Sequence, residues 1–134
     1  MSSIIEKIVG IKNLYHAKGC TLEQIKKAEN ELQITFPDEY KDILEKYGAI
    51  SFFGTEWTGL NVDDYLNVVV VTKQERELNS AFPTDCFVLE NHAIDGILVI
   101  CNENGEIFSC HYSNIEKIYD SISSYLDECI RRSL

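Results

Sequence analysis

A chain of 134 residues, 45% hydrophobic and 25% charged, is long enough for one domain with its own core and gives no reason to expect two. Its 22 acidic residues outnumber 12 basic ones for a formal net charge of -10, and such a surface repels phosphate backbones and anionic lipid, so no nucleic-acid and no membrane partner is expected. The opening stretch from Met1 to Lys7 has neither a basic start nor an uninterrupted apolar run, and no apolar segment approaches the length of a membrane span, which makes a cytoplasmic chain the expectation.

Ile4, Ile8, Ile11 and Tyr15 recur near helical spacing and predict an amphipathic amino-terminal helix, crossed by Gly10 and ended near Gly19. Thr21 and Gln24 then stand at capping-box spacing, with Cys20 and Ile25 placed as a hydrophobic staple, so a second helix starts at Thr21 with Leu22, Ile25, Ala28 and Leu32 as its buried stripe. Pro37 lacks an N–H that a first helical turn does not need, and Asp38 and Glu39 put negative charge where the helix dipole favours it. A third helix therefore begins near Pro37, buries Tyr40, Ile43, Leu44 and Tyr47, and stops at Gly48.

From Ile50 to Leu60, the aromatic residues Phe52, Phe53 and Trp57 with Gly54 and Gly59 predict a strand or bent ribbon. Val68 to Val71 has strand propensity, yet Thr72 and Glu75 at capping-box spacing ahead of Arg76 and Leu78 point to a helix, so strand and helix both stand for that segment. Residues 79–85 read as a loop. Cys86 to Glu90, Ile97 to Cys101 and Glu106 to Cys110 are short apolar runs, the last two separated by the Asn104-Gly105 turn signal, and predict an antiparallel sheet. The unbroken apolar run of Ile97 to Cys101 suits a central strand covered on both faces, or a sheet with helices against one side. Ile115, Ile118, Tyr119, Ile122, Tyr125, Leu126, Cys129 and Ile130 predict a closing helix with Arg131 and Arg132 at its carboxyl end. The expected fold is α+β, with helices packed on one side of a mostly antiparallel β-sheet.

Five cysteines, an odd number with no CxxC pair and mostly inside apolar segments, read as reduced core thiols, and Cys110-His111 has no second pair with which to hold zinc. His16, His92 and His111 are scattered, although Cys101 with His92 or His111 remains a conceivable nucleophile pair that only space could join. Glu56, Asp63, Asp64 and Asp95 offer paired carboxylates, as any acidic chain does. Gly48, Gly54 and Gly59 fit no phosphate-loop or dinucleotide spacing. No catalytic residue, metal or cofactor is expected, and a binding protein is favoured over an enzyme.

The order and spacing of Thr21 to Ile25, Ala28-Glu29, Leu32, Phe36 to Lys41 and Leu44 to Gly48 resembles the SUKH superfamily, which includes yeast cell-wall assembly regulators and many bacterial immunity proteins. The resemblance continues through Phe87 to Asn91, Asp95-Gly96, Asn104-Gly105 before Ile107, and Ile118, Ser121, Ile122 and Leu126. It covers most of the chain after Gly19, so residues 1–134 read as a single SUKH-like domain with residues 1–19 as an extra amino-terminal helix. Where the family often carries a Gly-Asp-Gly-like turn, this chain reads His92 to Gly96, and no role of that turn carries over. The resemblance implies an immunity protein that binds and neutralises the toxin domain of a polymorphic bacterial toxin, a nuclease among the candidates. The alternative it implies is a regulatory scaffold or peptide-binding module of the cell-wall regulator type.

Charge distribution points to where such a partner would bind. Residues 37–67 hold seven acids against two lysines, a balance of -5, whereas residues 1–36 hold five lysines against four acids, a balance of +1. Acid of that kind steers a basic toxin domain, although it serves solubility equally well. Within it, Glu56, Trp57, Asp63, Asp64 and Tyr65 alternate aromatic and acidic side chains in a connecting region and are the candidate partner-binding residues. The competing reading makes Trp57 a core residue and leaves the acids merely solvated. Asn91 and Asp95 form a second candidate cluster, with a plain Asx turn as its competitor.

Overall fold

The computed structural model describes residues 3–92 and 96–133. In chain order the elements are α1 (Ser3–Val9), β1 (Tyr15–His16), α2 (Leu22–Leu32), α3 (Asp38–Tyr47), β2 (Ile50–Phe52), β3 (Thr55–Glu56), a 3-10 turn (Asp64–Leu66), α4 (Val68–Leu78), β4 (Cys86–Asn91), β5 (Leu98–Asn102), β6 (Ile107–His111), β7 (Asn114–Tyr119) and α5 (Ile122–Arg132). The strands form a small antiparallel sheet β1-β2-β3 and an antiparallel meander β4-β5-β6-β7, so the fold is α+β.

The paired helices α2 and α3 form where their end signals stand. Gln24 N donates to Thr21 Oγ1 at 3.1 Å and Thr21 N to Gln24 Oε1 at 3.0 Å, a reciprocal cap that satisfies two otherwise orphaned N–H groups. Pro37 is the N-cap of α3, and Gly48 closes it at φ 77°, donating to Leu44 O at 2.9 Å. Tyr40, Ile43, Leu44 and Tyr47 are all buried, as their spacing predicts. Leu22 is not: it is 71% exposed, because the buried face of α2 runs through Ile25, Ala28, Glu29 and Leu32 and leaves its first residue outside.

Strand alternation divides the larger sheet between two cores. Phe87, Leu89, Val99, Cys101 and Ile107 meet the apolar faces of α1, α2, α3 and α5, while Val88, Leu98, Ile100 and Cys110 meet Val71 and Phe82. Every residue of β5 is buried, as its continuous apolar run requires. Helix α4 lies along the outer edge of β4, sending Val68 into the larger core and Val71 into the smaller one. That edge would otherwise expose unpaired backbone. Instead Val88 N donates to Thr72 Oγ1 at 3.0 Å, Thr58 Oγ1 donates to Val88 O at 2.7 Å, and Thr58 N donates to Leu89 O at 2.8 Å.

The two terminal helices are shorter than their spacing predicts, and the open choice at residues 68–71 closes. The amino-terminal helix ends at Val9, and Asn13 at φ 58° turns the chain so that Tyr15 pairs with Ser51 in β1 instead of continuing a helix to Gly19. Residues 68–71 are helical: Asn67 Oδ1 accepts from Val69 N and Val70 N, and Thr72, an expected cap, sits buried inside α4. The closing helix starts only after Ser121, whose Oγ accepts from Ser124 N, and Ile115, Ile118 and Tyr119 belong to β7, hairpinned onto β6 through a turn with Tyr112 at φ 57°. Strand pairing overrides helical spacing in both β1 and β7, long-range for β1 and across a hairpin for β7.

Thr21→Ala removes the reciprocal cap and is expected to cost about 1 kcal/mol in urea unfolding. Leu22→Gln, at an exposed position, is expected to stay within about 0.5 kcal/mol of the parent, and an equal loss for both would return Leu22 to the core.

Candidate partner-binding site

The segment that carries most of the candidate binding residues is a closed loop. Gly59 N donates to Leu66 O and Val68 N to Gly59 O, each at 2.9 Å, so residues 60–66 leave and return at one point. Asn67 Nδ2 braces the inside of the loop by donating to Val62 O at 3.1 Å. Asn61 ties it to the amino-terminal arm, donating through Nδ2 to Lys18 O at 2.8 Å and accepting from Gln24 Nε2 at 2.9 Å. Asp63, Asp64 and Tyr65 are exposed on this loop, with Tyr65 60% exposed.

Glu56 is exposed on β3, directly across from Ser51, which in turn faces Tyr15 on β1. Opposed residues share a face, so Tyr15, Ser51 and Glu56 line the solvent side of the small sheet. Between this side and the loop runs an apolar groove of about 150 Å³, lined chiefly by Tyr15, Ile50, Ser51, Trp57, Val62 and Leu66. Glu56 flanks it beside Ser51, and Asp63 to Tyr65 lie between the lining residues Val62 and Leu66. A second, more polar depression of about 450 Å³ lies on the α2 side of the same loop, with Lys27, Glu31, Asn61, Asp63 and Val70 in its wall.

Trp57 must be corrected as a partner anchor. It is 1% exposed, and its indole stacks on Tyr125 with centroids 5.8 Å apart and planes 9° from parallel. The physical reason is the period of the strand, which turns the neighbour of exposed Glu56 toward the core. Trp57 Nε1 is buried without a hydrogen-bond partner, while the hydroxyl of Tyr125 donates to the buried carboxylate of Glu90 and lies 3.4 Å from Arg132 Nη2. Asn91 is exposed at the end of β4, pairs with Leu98 and does not line the groove. Asp95 lies outside the described residues.

The groove also holds residues that sequence reasoning did not single out: Tyr15, Ser51, Val62 and Leu66. Tyr15 was hidden by its fit to a helical spacing, and only the long-range pairing with Ser51 reveals it. The exposed carboxylates of Glu56, Asp63 and Asp64 enter no ion pair among the described residues, unlike those of Glu29, Glu31, Glu106, Asp120, Asp127 and Glu128.

The cysteines are poor nucleophiles. All five are free and buried. Burial pushes the Cys101 thiol well above its usual range, Cys86 up to about 12 and Cys129 up to about 11, and raises Cys20 and Cys110 as well. His111 packs on Tyr112 at 4.9 Å, and His16 Nδ1 meets Ala17 O at 2.7 Å. Among the described residues no hydrogen bond joins a histidine to a thiol, and no helix is long and apolar enough to cross a membrane.

A family model described as SMI1-KNR4 cell-wall matches residues 22–126, most of the chain. The chain belongs to the SUKH superfamily. The matched span contains α2 through β7 and Ile122 to Leu126 of α5, and it leaves α1 and β1 outside.

Two measurements test this site. Emission from Trp57, the sole tryptophan, is expected to be blue-shifted and weakly quenched by acrylamide, and quenching like that of free indole would place it outside. At pH 8 the raised thiols stay protonated, so iodoacetamide is expected to label the native protein at least about tenfold more slowly than the urea-unfolded chain, and one fast native thiol would restore the nucleophile reading.

Proposed function

We propose that this protein is an immunity-type binding protein, which neutralises the toxin domain of a polymorphic bacterial toxin by protein–protein contact and not by catalysis. The observation that carries the proposal is an apolar groove flanked by unpaired acids on a SUKH domain. An apolar hollow supplies the part of an interface that excludes water, and surrounding like charges select and orient a partner of opposite sign. A nuclease domain fits that sign, because it needs basic surface to hold a phosphate backbone, and an acidic protein competes for the same surface. Buried, protonated thiols support a non-catalytic role.

The match to the SMI1-KNR4 cell-wall family supports a second reading, a regulatory scaffold or peptide-binding module of the cell-wall type. Growth rescue separates the two. The carboxyl-terminal domain of the toxin-like gene adjoining this one is expressed in a sensitive host with and without this protein, and rescue with a stable complex is expected. Association is expected to slow about tenfold as salt rises from roughly 50 mM to roughly 500 mM. A toxic domain that this well-expressed protein neither binds nor neutralises, or the absence of such a gene, transfers the lead to the regulatory reading. Tight binding with salt-independent association rejects electrostatic mimicry while leaving immunity in place.

A further inference from the structure

We infer that the groove between the small sheet and the 60–66 loop takes a basic segment of the partner protein, one apolar side chain seated inside it and cationic side chains on either flank, with Tyr15 of the amino-terminal arm as the specificity-setting wall. The inference rests on the binding-protein reading above and names the partner chemistry and the surface.

The shape argues for a side chain. A hollow of about 150 Å³ has the size of a space that holds one benzene-like group, and its wall is apolar apart from Ser51 and His16. The two flanks argue for the charges. Glu56 stands opposite the lining residue Ser51 on the sheet side, Asp63 and Asp64 fall in the chain between the lining residues Val62 and Leu66, with Asp63 also in the wall of the α2-side depression, and no lysine or arginine lines the groove. None of these carboxylates is neutralised by an ion pair among the described residues, so their field acts outward. An acidic or phosphorylated segment would meet repulsion from both sides, and an uncharged apolar segment would leave the flanks unused.

Tyr15 is the distinctive wall. It is 74% exposed, a large uncovered aromatic surface on a residue whose backbone pairs with Ser51. Tyrosine combines a rigid apolar ring with a polar tip and loses little conformational freedom on being covered. It also stands outside residues 22–126, so the family core supplies one wall of the groove and this chain's own arm the other. The arm is held firmly enough to present it: Ala17 N donates to Ala49 O at 3.1 Å, and Asn61 clasps Lys18 O from the loop.

The test uses a defined probe, an amide NMR titration of the full chain with the capped hexapeptide Lys-Arg-Leu-Phe-Arg-Lys and its counterpart with every cation replaced by Glu. The basic peptide is expected to shift the amides of Tyr15, Ser51, Glu56 and Leu66, and the acidic peptide to leave them in place. Tyr15→Ala is expected to weaken the basic peptide about tenfold with the salt dependence unchanged. Glu56→Gln with Asp63→Asn is expected to weaken it by about threefold or more and to flatten the salt dependence. All three substitutions are on exposed side chains, and an otherwise unchanged amide spectrum verifies that each variant is folded. Shifts that centre on the α2 side of the loop, equal shifts from both peptides, no shifts at the groove, or an unaltered Tyr15→Ala affinity overturn the inference. Growth rescue without binding at the groove would keep immunity and lose this surface, whereas binding at the groove without rescue would keep the surface and lose immunity.

Discussion

The close crossing of three backbone segments at Gly48 is the constraint on which both walls of the groove depend. Leu60 N donates to Gly48 O at 2.9 Å, and Cys20 N donates to Leu44 O at 2.9 Å, so the amino-terminal arm, the end of α3 and the base of the 60–66 loop meet main chain to main chain. A Cβ on Gly59 would overlap Gly48 O, and one on Gly48 would overlap Lys18 O in a backbone conformation already at φ 77°. A side chain at 48 pushes the end of α3 away from the arm and the loop base, and one at 59 pushes the loop base away from the end of α3. The signature glycine that ends α3 is therefore also the point at which the two walls of the groove are joined.

The floor of the groove is fixed from below by a buried polar arrangement. A register shift between Val88 and Glu90 in β4 brings Glu90 opposite Val99, on the side of the larger core, where its carboxylate is 4% exposed. A buried carboxylate is costly unless it is hydrogen-bonded, and the Tyr125 hydroxyl on α5 donates to it. The Arg132 guanidinium lies 5.7 Å from the centroid of the Tyr125 ring and adds positive charge to the same place. Trp57 stacks on the same tyrosine. The chain from β4 through α5 to β3 thus holds Trp57 still while its neighbour Glu56 faces solvent. A partner meeting this surface has little left to order on the protein's side.

Legibility in the sequence followed the range of the forces involved. The helices and their ends from Thr21 to Gly48 were readable, Leu22 excepted, because the capping box, the Pro37 start and the Gly48 stop are local chemistry. The three apolar runs and the Asn104-Gly105 turn were readable for the same reason. β1 and β7 were not. Tyr15 and Ile118 fit a helical period, and only pairing with Ser51 across the chain, or with β6 across a tight turn, decides against the helix. At the site, Glu56, Asp63, Asp64 and Tyr65 were legible as exposed acids and an aromatic in a connecting region. Trp57 was ambiguous because size and aromaticity suit a core and an interface equally, and its burial depends on which face of β3 the register selects.

A division of labour follows from where the side chains point. The residues that build the larger core come from α1, α2, α3, α5 and the inner faces of the strands, and nearly all are buried to within a few per cent. Tyr15, Glu56, Asp63, Asp64 and Tyr65 are exposed and contribute almost nothing to that core. Substitution at those positions changes surface charge and shape at little cost to folding, since exposed positions away from caps and networks shift stability by only about half a kcal/mol. The surface around the groove can therefore diverge while the scaffold stays fixed. The crossing at Gly48 sets the limit: the 60–66 loop can change the exposed side chains of Asp63, Asp64 and Tyr65, but Leu60 is in the core, Asn61 clasps the arm, and the base must keep glycine at 59 to pass the carbonyl of Gly48.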